Sequence, residues 1–152
     1  MGILIDKIGR RVLLIIISAV ILLAAHLTTM FLAPSCPATS YNEVIALVLV
    51  GIGFSIYAAA LWPSIAYVVD AKTVGSAYGI CTALQNAGLA TAPTIGGAIN
   101  TATVNIDYGY KWEAFFWVCL MIIAIFLDLL LFYVDGKSGW ILHRVNPNQT
   151  VE

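Results

Sequence analysis

The sequence predicts an all-α integral membrane protein built on four transmembrane helices, and three observations predict it. Hydrophobic residues make up 61% of the 152-residue chain and charged residues only 10%, with a mean hydropathy of +0.95. A soluble domain carries about 25% charged residues. Four apolar segments, 12–33, 43–69, 76–100 and 112–134, each reach the roughly 20 residues a helix needs to cross a bilayer. None alternates polar and apolar residues as a barrel strand does, and bare backbone amides are too costly in lipid for any open alternative to a helix.

Before the first span stand Gly2, Asp6, Lys7, Gly9, Arg10 and Arg11. The glycines permit a tight reversal. The basic residues resist translocation and hold this end on the cytoplasmic side. Asp6 is placed to pair with one of them or to cap a neighbouring helix. The pattern has the charge order of a signal peptide, but the apolar run is too long for one, so a span is expected instead. Within that span, His26, Thr28 and Thr29 are the polar exceptions. His26 is expected to make an interhelical hydrogen bond rather than to carry protons.

The second span offers a thin face of Gly51, Gly53, Ala58, Ala59 and Ala60, against which another helix can approach closely. Tyr57, Ser64 and Tyr67 fall near one stripe, Ser55 and Trp62 near another. Pro63 removes a backbone donor beside Trp62 and is expected to bend the helix there. Tyr67 suits an interfacial anchor. Trp62 fits either the wall of a cavity or simple packing.

The third span is the least lipid-like. Gly75 and Gly79 form a small-residue pair near its entry, and Tyr78, Thr82 and Gln85 follow along one face with Asn86 beside them. Two adjacent amides at mid-membrane are costly against lipid. They must face protein or a watery cavity, and both readings stay open: interhelical hydrogen bonds, or contact with a polar, peptide-like solute. Gly88, Pro93, Gly96 and Gly97 loosen the far end of the helix.

The fourth span is aliphatic and aromatic with Asp128 as its exception, close enough to one end for water or a basic partner to reach. Glu113 and Lys111 are expected to be solvated at the outer boundary, and Trp140 to anchor a short polar tail at the interface.

Both termini are expected in the cytoplasm. That places Lys7, Arg10, Arg11, Lys72, Lys137 and Arg144 inside and only Lys111 outside. The sequon at Asn148 then escapes glycosylation. A net charge of −1 offers no surface for nucleic acid, three scattered cysteines make no disulfide framework, and His26 and His143 stand isolated without metal-ligand spacing. No nucleophile–base pair or phosphate loop points to an enzyme, and no cofactor or metal is expected.

The loop residues Gly2, Asp6, Lys7, Gly9, Arg10 and Arg11, at this spacing, resemble the signature loop of the major facilitator superfamily, found between helices 2 and 3 and again between helices 8 and 9. Gly79, Gly88, Ala92, Pro93, Gly96 and Gly97 are similar to the glycine–proline pattern of helix 5 and its counterpart, helix 11. Ala92 stands where glycine is usual, so no antiporter assignment carries over. More specific is the block from Ala60-Leu61-Trp62-Pro63 through Gly75-Ser76-Ala77-Tyr78-Gly79 to Gln85-Asn86-Ala87-Gly88-Leu89. It resembles helices 10 and 11 of lysosomal dipeptide carriers within the superfamily.

The resemblance implies that residues 1–134 form helices 9 to 12, an incomplete C-terminal half of a transporter domain, with 135–152 as a cytoplasmic tail. It implies movement of small solutes, dipeptides first, across the lysosomal membrane by alternating access of two helical halves. Trp62, Gln85, Asn86 and Tyr57 become the candidate substrate-binding residues. Asp6, Lys7, Gly9, Arg10 and Arg11 become the candidates for conformational gating. The implied partners are membrane lipid, the solute, the N-terminal helices of a full-length transporter, and a glycosylated lysosomal membrane accessory protein. The alternative is a non-transporting four-helix membrane protein that pairs with or regulates a full-length relative through its glycine faces.

Overall fold

Four long helices lie over the four apolar segments in the structure, a computed structural model that describes residues 9–32, 42–106 and 110–143. They are α1 (Arg11–Leu32), α2 (Asn42–Val68), α3 (Val74–Thr103) and α4 (Tyr110–Lys137), followed by a 3-10 turn at Ile141–His143. No strand occurs among the described residues. Even the shortest helix, α1 with 22 residues, spans about 33 Å, against roughly 30 Å for a hydrocarbon core.

Three of the four helices, α1, α2 and α4, are both long and apolar enough to cross a membrane. The exception is α3, the longest at 30 residues. Its hydropathy is diluted by Thr82, Gln85, Asn86, Thr91, Thr94, Asn100 and five glycines. Length puts α3 with its neighbours, and composition sets it apart.

α1 lies centrally, packed against both α2 and α4, while α3 touches α4 and, more sparsely, α2. Small side chains make the central contact. Ile15 and Ala60 form its buried centre, with Leu14, Tyr57, Ala59 and Leu61 around them. A Cβ placed on Gly53 would sit 2.8 Å from Leu22 Cγ and 3.3 Å from the Ser18 carbonyl oxygen, so only glycine admits this approach of α1 and α2. Gly51, Gly75 and Gly79 meet nothing within 4 Å, so those small faces are unused by the described residues. Buried hydroxyls are satisfied within their own helices. Ser18 donates to the Ile15 carbonyl at 2.7 Å and Ser64 to that of Ala60 at 2.6 Å. Helix α2 runs on through Pro63, and α3 through Pro93.

At one end of the bundle, α4 extends beyond position 134 to Lys137, and the chain then turns back through Gly139 (φ 85°) and Trp140 (φ 60°). Trp140 N–H donates to the Asp135 carbonyl at 2.9 Å, closing the turn. The Asp135 carboxylate, 5% exposed as a residue, accepts from Leu142 N–H at 3.0 Å and lies 3.0 Å from His143 Nδ1. Phe132, Trp140 and His143 meet edge to face, and Leu142 is buried. Residues 135–143 therefore fold onto the bundle as a hook, where a polar tail was expected. The reason is that the Asp135 carboxylate accepts from Leu142 N–H and lies against the His143 ring, tying the returning chain to α4. Residues 144–152 lie outside the described residues.

Candidate functional site

The second half of α2 meets the first half of α3 through a pair of aromatic rings. Trp62 and Tyr78 stack with centroids 5.9 Å apart and planes 22° from parallel. The Tyr78 hydroxyl donates to the Trp62 carbonyl oxygen at 2.9 Å. The short connection 69–73 makes this contact possible: Thr73 N–H and Oγ1 both bond to the Asp70 carbonyl, and the chain re-enters helix at Val74. Trp62 is half-buried as a result.

Gln85 lies seven residues beyond Tyr78, on the same face and about 10 Å farther along α3. It is half-buried and Asn86 is exposed. Among the described residues neither side-chain amide has a hydrogen-bond partner. Neighbouring hydroxyls are self-satisfied; Thr82, for example, donates to the Tyr78 carbonyl at 2.8 Å. The two amides are thus the open hydrogen-bonding groups at the middle of the most polar helix, where an unmet amide is costly.

Tyr57 sits on another face of α2, five residues from Trp62 and roughly 140° around the helix. It packs on the Ile15–Ala60 centre and against Phe54, with ring centroids 6.5 Å apart. Trp62 is therefore brought to α3, and Tyr57 packs beside the α1–α2 contact. The far end of α3 is fixed separately. Asn100 Nδ2 donates to Glu113 Oε2 at 2.7 Å, and Gly96 is buried beside Glu113 and Trp117 of α4. Glu113, expected to be solvated, is half-exposed and also accepts from Asn100, tying α4 to α3. His26, expected to hydrogen-bond between helices, instead stacks on Trp117 at 5.9 Å and 12°.

The gating candidates divide. Asp6 and Lys7 lie outside the described residues. Gly9 (φ 63°) and Arg10 (φ 42°) form a left-handed junction into α1, with the Arg10 side chain exposed. Arg11 is fully buried, its Nη2 donates to Tyr67 Oη at 2.9 Å, and its Cζ lies 4.0 Å from the Tyr67 ring centroid. The start of α1 is thereby joined to the end of α2. In the sequence Tyr67 reads as an anchor and His143 as isolated, and nothing there marks Tyr78 or Asp135 for the contacts they make. The one legible signal is that Tyr78 shares a face with Gln85.

Among the described residues no group of three His, Cys, Asp or Glu side chains is placed to hold a metal, and Cys81 and Cys119 are free thiols. The arrangement sets an aromatic pair and two open amides along one stretch of α3.

Comparison with known proteins bears on the whole chain. Residues 1–148 match the family model of the Major Facilitator Superfamily. Similar relatives include lysosomal dipeptide transporter MFSD1 of Danio rerio, 34% identical over 140 residues, and that of Gallus gallus, 32% identical over 139; each alignment covers 91% of this chain and 28% of the relative. The Homo sapiens protein of the same name is 30% identical over 138 residues, covering 91% of this chain and 27% of its own length. The chain thus spans just over a quarter of the length of these curated relatives. No solved structure matches it. The four-helix architecture, its apolar exterior and the match over nearly the whole sequence agree: the chain belongs to the major facilitator superfamily.

Proposed function

We propose that this chain supplies helices 9 to 12 of a carrier that moves dipeptides or similar small zwitterions across the lysosomal membrane by alternating access, with both termini cytoplasmic. The observation that carries the proposal is the pair of amides, Gln85 and Asn86, unpartnered among the described residues on the least apolar helix. An amide both donates and accepts, which matches the N–H and C=O of a peptide bond. The stacked Trp62–Tyr78 pair supplies an aromatic wall nearby, and an indole face also suits a peptide's ammonium group. The relatives' name, lysosomal dipeptide transporter, supports the solute class and the membrane.

In this reading Arg11 and Tyr67 hold α1 to α2 at the cytoplasmic face in one state of the cycle and part in the other. Asp6, Lys7, Gly9 and Arg10 belong to the same gate, and Tyr57 lies at the edge of the site on the α1 side. The remaining helices of a full-length transporter would cover the open face of α3, and a glycosylated lysosomal accessory protein would stabilise the assembly. Uptake of labelled dipeptides into proteoliposomes containing the complete carrier tests the reading. Saturable uptake competed by unlabelled dipeptides, but not by free sugars, is the expected result; no dipeptide uptake contradicts it.

A further inference from the structure

The hook at the end of α4 and the junction that opens α1 are both left-handed, and they meet. Gly9 and Arg10 take positive φ at the junction, as Gly139 and Trp140 do in the hook. For arginine and tryptophan this conformation costs energy and persists only where surrounding contacts over-determine it. The hook has such contacts internally. Asp135 receives Leu142 N–H and His143 Nδ1 at 3.0 Å each, and the Trp140 ring lies over Gly136, 3.3 Å from where a Cβ would stand. The junction obtains one of its contacts from the hook: Arg10 N–H donates to the His143 carbonyl at a long 3.5 Å. Buried Leu142 belongs to a turn that packs on both α1 and α2, the two helices joined by Arg11 and Tyr67. Arg10 in turn starts α1, its carbonyl accepting from Leu13 N–H at 3.0 Å and Leu14 N–H at 3.2 Å.

We infer that Asp135 is a positioning residue for the gate: by folding the hook, it fixes the 9–10 junction so that Arg11 enters α1 aimed at Tyr67. The order of dependence is specific. Asp135 shapes residues 138–143, those residues hold Arg10, and Arg10 sets where Arg11 stands. The functional weight of this device rests on the gating role proposed for Arg11. The coupling itself does not.

Amide hydrogen exchange on the 152-residue chain in lipid nanodiscs tests the coupling. Asp135→Ala should speed exchange at 138–143 by at least about tenfold, the effect of losing even one hydrogen bond to a carboxylate, and should also speed it at Leu13 and Leu14. The 82–100 stretch of α3 should be unchanged. Leu142→Ala, beyond the last long helix, should loosen the same two segments without touching Asp135. Faster exchange at 138–143 with residues 13–14 unaltered would overturn the inference. If Asp135→Ala speeds exchange in all four helices, Leu142→Ala decides alone by the same criterion. Transport by the complete carrier bearing Arg11→Met separates the two claims: unchanged flux alongside coupled exchange removes the gate and leaves Asp135 positioning the junction.

Discussion

The Tyr78 hydroxyl and the Trp62 carbonyl oxygen stand 2.9 Å apart, and the two rings are stacked. This joins α3 to α2 near the short 69–73 connection, while Asn100 and Glu113 join the other end of α3 to α4. Between the two attachments the helix carries Gln85 and Asn86 without partners among the described residues. In the proposed carrier, a helix fixed at both ends and open at its middle would present those amides to the solute.

Removing only the hydroxyl should matter little. Tyr78→Phe keeps the stack and loses one interhelical hydrogen bond, which in membrane proteins averages about 0.6 kcal/mol. Tyr78→Ala also loses the ring contact, worth a further ~0.5–1.5 kcal/mol. With Trp112, Trp117 and Trp140 replaced by Phe, Trp62 fluorescence should become more accessible to quenchers in Tyr78→Ala and remain near its starting value in Tyr78→Phe. Equal quenching in both would show that the ring does not shield Trp62.

Gly53 and Gly51 make a matched pair for testing the α1–α2 contact. Gly53→Val would place new carbons against Leu22 and the Ser18 carbonyl, an overpacking cost of about 1–3 kcal/mol. Gly51→Ala meets open space and should stay within about 0.5 kcal/mol of the parent. Denaturant unfolding in mixed micelles, followed by circular dichroism, measures both.

Loss of the Tyr67 hydroxyl should destabilise the buried Arg11. Tyr67→Phe removes a hydrogen bond to a charged group, worth about 1.5–3 kcal/mol, and leaves the ring beneath the guanidinium. Arg11→Lys should fail to restore the parent stability, because an ammonium lacks the planar fork and resists desolvation more strongly. Unfolding midpoints of the two variants check this. A Tyr67→Phe midpoint equal to the parent would mean that the hydroxyl contact contributes nothing.

At the other end, Asn100→Ala and Glu113→Ala should be strongly non-additive. Residues in direct contact show interaction energies of about 0.5–3 kcal/mol in a double-mutant cycle. Additive effects would mean that the 2.7 Å contact does not hold α3 to α4.

The helices were legible because hydropathy over some twenty residues is a strong signal, and α3 stood out because its amides and threonines dilute that signal. Which faces meet was not legible. Gly53 and Gly75 look alike in sequence, yet one lies against Leu22 and the other meets nothing within 4 Å, because helix crossing positions decide which small residue is used. Tyr67 and Tyr78 each have the makings of an interfacial anchor. Their partners, Arg11 and Trp62, lie 56 and 16 residues away and come into reach only through the antiparallel packing. The Asp135–His143 contact depends on a left-handed Trp140, which no propensity favours. Of the binding candidates, Trp62 meets α3 and the amides stay open among the described residues, whereas Tyr57 packs on the Ile15–Ala60 centre.

Dipeptide uptake by the complete carrier bearing Gln85→Ala and Asn86→Ala, compared with the parent at equal amounts in proteoliposomes, bears most directly on the central claim. If the open amides of α3 contact the solute, the double substitution raises KM for dipeptide by tenfold or more, about 1.4 kcal/mol for two lost hydrogen bonds, with the protein still folded. Uptake with unchanged KM and maximal rate would contradict the claim and leave the amides as packing groups.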